Sequence, residues 1–313
     1  YFYKEFFVLE KINASRLSHL GNLSLDSATL DKIKRAQSAL SSILEKIGEL
    51  SKTDPIDAPY PNRYYAAIML DGDHMGKLID KAATLDEHRQ ISTTLAETAE
   101  KIQEIVEKEF PGKLIYSSGD DALAFAPVNC ALEIARRIRE TFKRNMRRFD
   151  PDADMSGGIA VMHHQSPLEA ILTKARKAEH KAKEVYDRET LVVVVAKRSG
   201  EELDAAMTWQ DIGTINPITT LTEYLSMGWI SSKFIYDLRQ EENALKINLE
   251  GFKLELTRLL KRHSSVSVEV LDIADLSTRL VEFRRQMPTE EERIPQIINW
   301  LMVTGFLAKG ERS

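Results

Sequence analysis

At positions 114–125 the chain reads LIYSSGDDALAF. Two short apolar runs enclose a turn made of Ser, Gly and Asp, which is the pattern of a β-hairpin. Such a hairpin presents its adjacent carboxylates, Asp120 and Asp121, at its tip. The pair alone has two interpretations, because Asp and Gly are also the residues that tight turns use for backbone reasons. A metal-binding tip therefore needs support from a second acidic element.

A second acidic pair, Asp71-Gly72-Asp73, follows the apolar run Tyr65–Leu70. Uncompensated carboxylates at the end of a buried strand would have raised pKa values and would cost stability. If the two strands are neighbours, all four carboxylates meet at one edge of a sheet. Oxygen ligands of this kind suit Mg²⁺ or Mn²⁺ and, through the ion, a triphosphate. The two motifs together predict a metal site that assists nucleotidyl transfer.

Small and basic residues beside these acids are candidates for nucleotide contacts. Gly72 and Gly119 lack a Cβ, so their backbone amides can approach a phosphate or a ribose. Lys77 lies in the first turn of a helix whose N-terminus can face an anion. Lys183 lies late in another helix, where it either reaches the phosphates or is an ordinary exposed lysine.

Three regions separate along the chain. Residues 1–60 combine a helical segment with a linker that contains prolines, residues 61–200 alternate strands and helices, and residues 201–313 have helical spacing only. The order βαββαβαβ in the middle region matches a ferredoxin-like sheet with helices on one face. The predicted fold class is therefore α+β, with an all-helical C-terminal domain.

Composition limits the classes of function. The 313 residues are 43% hydrophobic with a net charge of -5, and no apolar stretch approaches the roughly 20 residues of a membrane span. We expect a cytoplasmic protein without a membrane partner, and a single cysteine fits a reducing compartment. Basic residues crowd two helices, at 136–148 and 174–183. Each cluster is either a solvated face or a contact with RNA or nucleotide phosphates. A start at Tyr1 without Met suggests a piece of a longer protein.

Three stretches carry a family resemblance: IMLDGDHMGK at 68–77, YSSGDD at 116–121 and GIAVMHHQSPL at 158–168. Together they resemble the large subunit of type III CRISPR effector complexes, which serve antiviral defence. The similarity is greatest to the C-terminal part of the Cmr type, subtype III-B. The resemblance covers the middle region, 61–200, which it identifies as a polymerase- or cyclase-like palm domain.

The resemblance implies an enzyme. When the guide complex binds target RNA, a palm of this family joins ATP molecules into cyclic oligoadenylate. The implied partners are the other subunits of the ribonucleoprotein, the guide RNA and the target RNA. The implied metal ligands and catalytic residues are Asp71, Asp120 and Asp121, and the implied nucleotide-binding residues are Gly72, Asp73, Lys77, Ser118, Gly119 and Lys183.

One departure from the family keeps other functions open. The family's hairpin reads Gly-Gly-Asp-Asp, whereas Ser118 replaces the first glycine here. The first alternative is a catalytically silent scaffold that binds RNA and small helical subunits. The second is a diguanylate cyclase of the GGDEF type, which fits less well because the hairpin lacks the Glu-Phe ending and the helical tail is superfluous. The chain contains no His-Asp dipeptide, so we predict no HD-type DNA cleavage by it.

Overall fold

The computed structural model describes residues 62–209, 217–241, 249–266, 271–282 and 290–309, with the isolated positions 31, 35, 38 and 42. The chain divides into two compact units, 1–63 and 64–313. In the first unit, the four isolated positions are helical and exposed. The apolar spacing predicted there and the proline-containing linker lie outside the described residues. The second unit contains the sheet and the candidate site.

The second unit is built on one six-stranded sheet with the order β2-β3-β1-β4-β5-β6. All neighbouring strands are antiparallel except β4 and β5, which are parallel. This order places β1 and the hairpin strand β3 side by side, as the sequence predicted. The strands are β1 (Tyr64–Gly72), β2 (Lys113–Ser117), β3 (Asp121–Pro127), β4 (Met155–His163), β5 (Thr190–Ala196) and β6 (Glu202–Thr208).

Helices connect the strands and form the C-terminal part of the described chain. A capping box at Thr84 and Glu87 fixes the start of the long second helix. The helices of the sheet region are α1 (Met75–Lys81), α2 (Leu85–Glu104), α3 (Ala131–Met146) and α4 (Leu168–Glu184). Those of the tail are α5 (Pro217–Ser226), α6 (Lys233–Gln240), α7 (Leu249–Arg262), α8 (Ile273–Glu282) and α9 (Glu290–Lys309).

The helices cover both faces of the sheet, so the expectation of helices on one face was wrong. Along β1, Ile68 and Leu70 join the core that includes α2 and α3, whereas Met69 joins a separate cluster with α4. Alternate residues of a strand point to opposite faces, which places α4 on the face opposite α2 and α3. Helix α4 packs so closely on β4 that a Cβ at Gly158 would lie 2.8 Å from the Cβ of Ala178.

The strands continue beyond position 200, where the sequence analysis expected them to stop. Strand β6 pairs with β5 along its whole length and extends the sheet by one strand. Helix α9 of the tail packs on β6, and the indole N–H of Trp300 donates to the Ala206 carbonyl oxygen at 2.7 Å. The helical tail itself is confirmed by α5–α9. Within the described ranges, no helix has the length and apolar character that a membrane span requires.

Candidate functional site

The two acidic motifs meet at one edge of the sheet. Asp71, near the end of β1, lies directly opposite Asp121, the first residue of β3. The N–H of Gly72 donates to the carbonyl oxygen of Asp120 at 2.6 Å, which fixes the hairpin tip to the end of β1. Directly opposed like charges destabilise an antiparallel pair, so this arrangement favours a cation between the strands.

The hairpin has its tip folded back onto its own carboxylates. The Ser118 hydroxyl lies 2.7 Å from an oxygen of Asp120 and within hydrogen-bonding distance of Asp121, although its single proton can serve only one of them at a time. The N–H of Ser118 donates to Asp121 at 3.1 Å. The hydroxyl that replaces the family's glycine therefore contacts both hairpin acids. All three side chains remain partly or fully exposed.

Gly119 is the residue on which the position of the tip depends. Its φ is +99°, in the region that favours glycine, and it is buried against α2. A Cβ at this position would overlap the Leu95 carbonyl group, with 2.6 Å to its carbon atom. The amide N–H groups of Gly72 and Gly119 are engaged by Asp120 and by the Ser117 hydroxyl, respectively. Their expected approach to a phosphate stays a prediction.

Lys183 is part of the site and not an ordinary exposed lysine. Its ammonium donates to Asp71 and lies 3.1 Å from Glu179, and its side chain is only 19% exposed. Burial alone would lower the pKa of Lys183, but its hydrogen bonds to Asp71 and Glu179 raise it overall. The lysine therefore stays protonated and places a fixed positive charge beside a carboxylate that is 44% exposed.

Asp73 is held apart from the other acids. Its side chain is 5% exposed and accepts a hydrogen bond from the Ser156 hydroxyl at 2.9 Å and one from the Glu189 N–H at 3.2 Å. Desolvation by burial raises its pKa to about 6, even though these bonds act in the opposite direction. Glu189 ends a run of three residues with positive φ, which begins at Asp187. Asp73 therefore tethers the α4–β5 loop.

Asp154 holds the backbone of Asp73 in place, and the sequence analysis missed it. Its carbonyl oxygen accepts the Asp73 N–H at 2.9 Å. Its buried carboxylate accepts from Arg139 at 2.5 Å and from Lys143 at 2.6 Å. Burial alone would raise the pKa of Asp154, but the hydrogen bonds from these two cations lower it overall. Asp154 gave no signal in the sequence, because it is a single acid and its partners Arg139 and Lys143 lie on α3.

The structure does not gather every predicted residue into one cluster. Lys77 is exposed on α1 and has no ion pair with any described residue. No group of three His, Cys, Asp or Glu side chains in the described ranges is already arranged to hold a metal ion. Asp71 faces Lys183, while the two hairpin acids converge on Ser118. The donors still fit a hard divalent cation, because three carboxylates come from two adjacent strands. Their role as ligands stays a prediction.

Sequence comparisons show that the sheet region is similar to a known family. The model of the second palm domain of Cas10/Cmr2 matches residues 64–192. The CRISPR system Cmr subunit Cmr2 of Pyrococcus furiosus is 29% identical in an alignment of 263 residues that covers 74% of this chain and 29% of that protein. The chain thus spans less than a third of the length of that relative. The family resemblance predicted from the three motifs is confirmed.

Solved structures share the fold. The cryo-EM structure of the type III-B Cmr-beta complex bound to cognate target RNA matches 92% of this chain and 42% of its own chain, with a TM-score of 0.54 and 14% identity. The crystal structure of Csm1 from T. onnurineus matches 78% of this chain and 38% of its own, with a TM-score of 0.50 and 13% identity. At these identities the likeness establishes the fold alone.

Proposed function

We propose that the chain, whose residues 64–192 match the model of the second palm domain of Cas10/Cmr2, is a metal-dependent nucleotidyltransferase. Its proposed substrate is ATP and its proposed product is cyclic oligoadenylate, made when the assembled complex binds target RNA. The observation that carries the proposal is the pairing of Asp71 with Asp121 across two neighbouring strands.

The acids provide the place for metal. Asp71, Asp120 and Asp121 would hold Mg²⁺ or Mn²⁺, since hard cations prefer carboxylate oxygens. A divalent ion bound there lowers the pKa of an attacking hydroxyl and neutralises charge on the leaving group. Like charges placed opposite one another are costly in the free protein, so a dication relieves that repulsion.

The remaining residues bind and position the nucleotide. In the proposed reaction, the 3′-hydroxyl oxygen of one ATP forms a bond to the α-phosphorus of another, the bond to the β-phosphate breaks, and pyrophosphate leaves. Lys183 supplies a permanent positive charge beside Asp71, where the triphosphate would carry its negative charge. Gly119 allows the hairpin to lie against α2 at the distance that this arrangement requires. Asp73 holds the adjacent loop in place.

The test uses the assembled complex with ATP, target RNA and either Mg²⁺ or Mn²⁺, with product identified by mass spectrometry. Wild type should yield cyclic adenylates, and the Asp120→Ala/Asp121→Ala variant should yield none. Glu223→Ala is the control, because this acid of α5 is exposed, lies outside the proposed site and forms no ion pair within the described chain. Undiminished product from the double variant would refute the assignment. Product from GTP instead of ATP would favour the diguanylate cyclase alternative.

A catalytically silent scaffold is the second candidate, and the contacts of Ser118 favour it. Its hydroxyl lies on both hairpin acids, where the family has a glycine that could make no such contact. A side chain that holds these oxygens competes with a metal for them. Full RNA-guided assembly without nucleotide product, in wild type and in Ser118→Gly, would support the scaffold. Product gained only in Ser118→Gly would show that the serine silences a competent palm.

The proposed setting follows the family. We propose that the chain works with the other subunits of the ribonucleoprotein, with guide RNA and with target RNA, in the cytoplasm. Co-purification of the full chain with guide RNA and partner subunits tests this setting. Recovery of the chain without either would contradict it.

A further inference from the structure

The C-terminal end of α3 carries a surface that the proposed chemistry does not use. Lys143, Arg144, Arg147, Glu140 and Pro151 line an open cavity of 480 Å³. The segment 136–152 contains seven Lys and Arg residues against three Asp and Glu residues, while the whole chain has a net charge of -5. The positive charge is therefore concentrated locally on a chain that is acidic overall.

Ion pairs within the protein leave part of this charge available. Arg136 binds Glu133 and Glu140, so the one carboxylate in the cavity wall shares a guanidinium with a second carboxylate and is partly compensated. Arg144 and Arg147 are exposed, and neither forms an ion pair with a described residue. Lys143 reaches into the cavity wall although it also contacts Asp154. The cavity is thus lined by one shared ammonium and by two guanidinium groups without an ion pair among the described residues, although Arg144 also donates to the Thr141 hydroxyl at 3.4 Å.

The second basic helix behaves differently. On α4, Lys174 pairs with Glu202 and Lys181 pairs with Asp204 at 2.7 Å. Lys183 is taken up by Asp71 and Glu179. Most of the positive charge of α4 therefore stabilises the sheet region itself. A plain helix-end role, in which cations complement the helix dipole, would account for one or two cations in the last turn of α3. The helix-dipole role does not account for a cavity lined by three cations.

We propose that this basic cavity binds the phosphodiester backbone of RNA. Its lining offers guanidinium and ammonium donors for phosphate oxygens, and its five lining residues include no aromatic side chain on which a base could stack. The contact is therefore with the backbone and independent of sequence. The choice of RNA rests on the proposed function, since guide and target RNAs are its proposed partners, but the contact requires no catalysis.

Binding of the full chain to a labelled single-stranded RNA of mixed sequence, about 20 nucleotides long, tests the proposal by fluorescence anisotropy across a range of salt concentrations. Arg144→Ala/Arg147→Ala should weaken binding and reduce the slope of log K against log[salt] by about 1.4, since each phosphate contact of a single strand contributes about 0.7. Arg144→Glu/Arg147→Glu should weaken it further. Thermal melting checks that both variants are folded.

Lys261→Ala/Arg262→Ala is the matched control, because these two exposed cations also end a helix, α7, but line no part of the cavity. No RNA binding by wild type at low salt, or an equal loss in this control, would overturn the proposal. The proposal would also be overturned if polyglutamate competes as well as unlabelled RNA does, since an acidic protein would then be the better occupant. The Asp120→Ala/Asp121→Ala variant should bind RNA like wild type, which separates this inference from the catalytic one.

Discussion

Replacing Gly119 with alanine should displace the hairpin tip, and three glycines allow the cost to be divided into its causes. Gly119 combines a φ of +99° with a backbone carbonyl, that of Leu95, in the position where a Cβ would lie. Gly200 has a φ of +91° with nothing within 4 Å of its Cβ position. Gly76 lies inside α1 with an ordinary φ and open space around it.

The expected magnitudes differ in sign and size. Gly200→Ala should lower the free energy of unfolding by about 1–2 kcal/mol, which is the backbone cost of a positive φ alone. Gly119→Ala adds an overlap with main-chain atoms, for which about 1–3 kcal/mol is typical, so its total should be about 2–5 kcal/mol. Gly76→Ala should stabilise the protein by about 0.5–1 kcal/mol, because alanine is the better helix former. Urea unfolding of the full chain measures all three.

Activity provides the second measurement. Cyclic adenylate synthesis should fall sharply in Gly119→Ala, because Asp120 and Asp121 move with the tip, and it should be unchanged in Gly200→Ala and Gly76→Ala. If Gly119→Ala is no less stable than Gly200→Ala, the close approach of the hairpin to α2 is not real, and the placement of both acids must be abandoned.

Three further predictions concern the surroundings of the site. Asp154→Asn should lower the free energy of unfolding by about 3 kcal/mol at pH 7, because it breaks a buried ion pair with Arg139. The pKa of Asp154 is lowered in the folded state, so its stabilisation is present above about pH 4 and is lost as the pH falls. Urea unfolding should therefore show that the difference between wild type and variant shrinks in acid. Lys183→Met should reduce cyclic adenylate synthesis about 10- to 100-fold, the equivalent of one charge-assisted hydrogen bond, and Lys183→Arg should recover part of it. Equal rates in wild type and both variants would exclude a role for Lys183 in binding the triphosphate. Trp300→Phe should remove the hydrogen bond to Ala206 and cost about 1–3 kcal/mol, measured as a lower midpoint of thermal unfolding; an unchanged midpoint would mean that the bond contributes nothing.

The sequence was most informative where a local pattern carries its own chemistry. Apolar runs before Asp71 and after Asp121 predicted two strands, and the structure shows that these strands are neighbours, with Asp71 opposite Asp121. Ile91 and Ile102 of α2 and Ile138 and Phe142 of α3 recur at helical spacing, and all four belong to the core. The strands and helices themselves depend on residues close together in the chain, so periodicity alone reveals them.

What the sequence did not reveal depends on residues far apart in the chain. Ser156 gives no signal as the partner of Asp73, since 83 positions separate them and a strand serine is unremarkable by itself. Strand β6 was missed because Glu202 and Asp204 interrupt its apolar pattern, although both acids are bound by lysines of α4. Pairing across such distances is decided by tertiary packing, which a single sequence does not record.

The contact between α9 and β6 also determines how the sheet can associate with other chains. At Ala206 the outward-facing main-chain groups meet α9, where Gln296 accepts from the N–H at 3.4 Å and Trp300 donates to the carbonyl oxygen. The β6 rim is thus shielded from a foreign strand at this position. Fragments shortened before α9 should therefore self-associate through the newly opened rim.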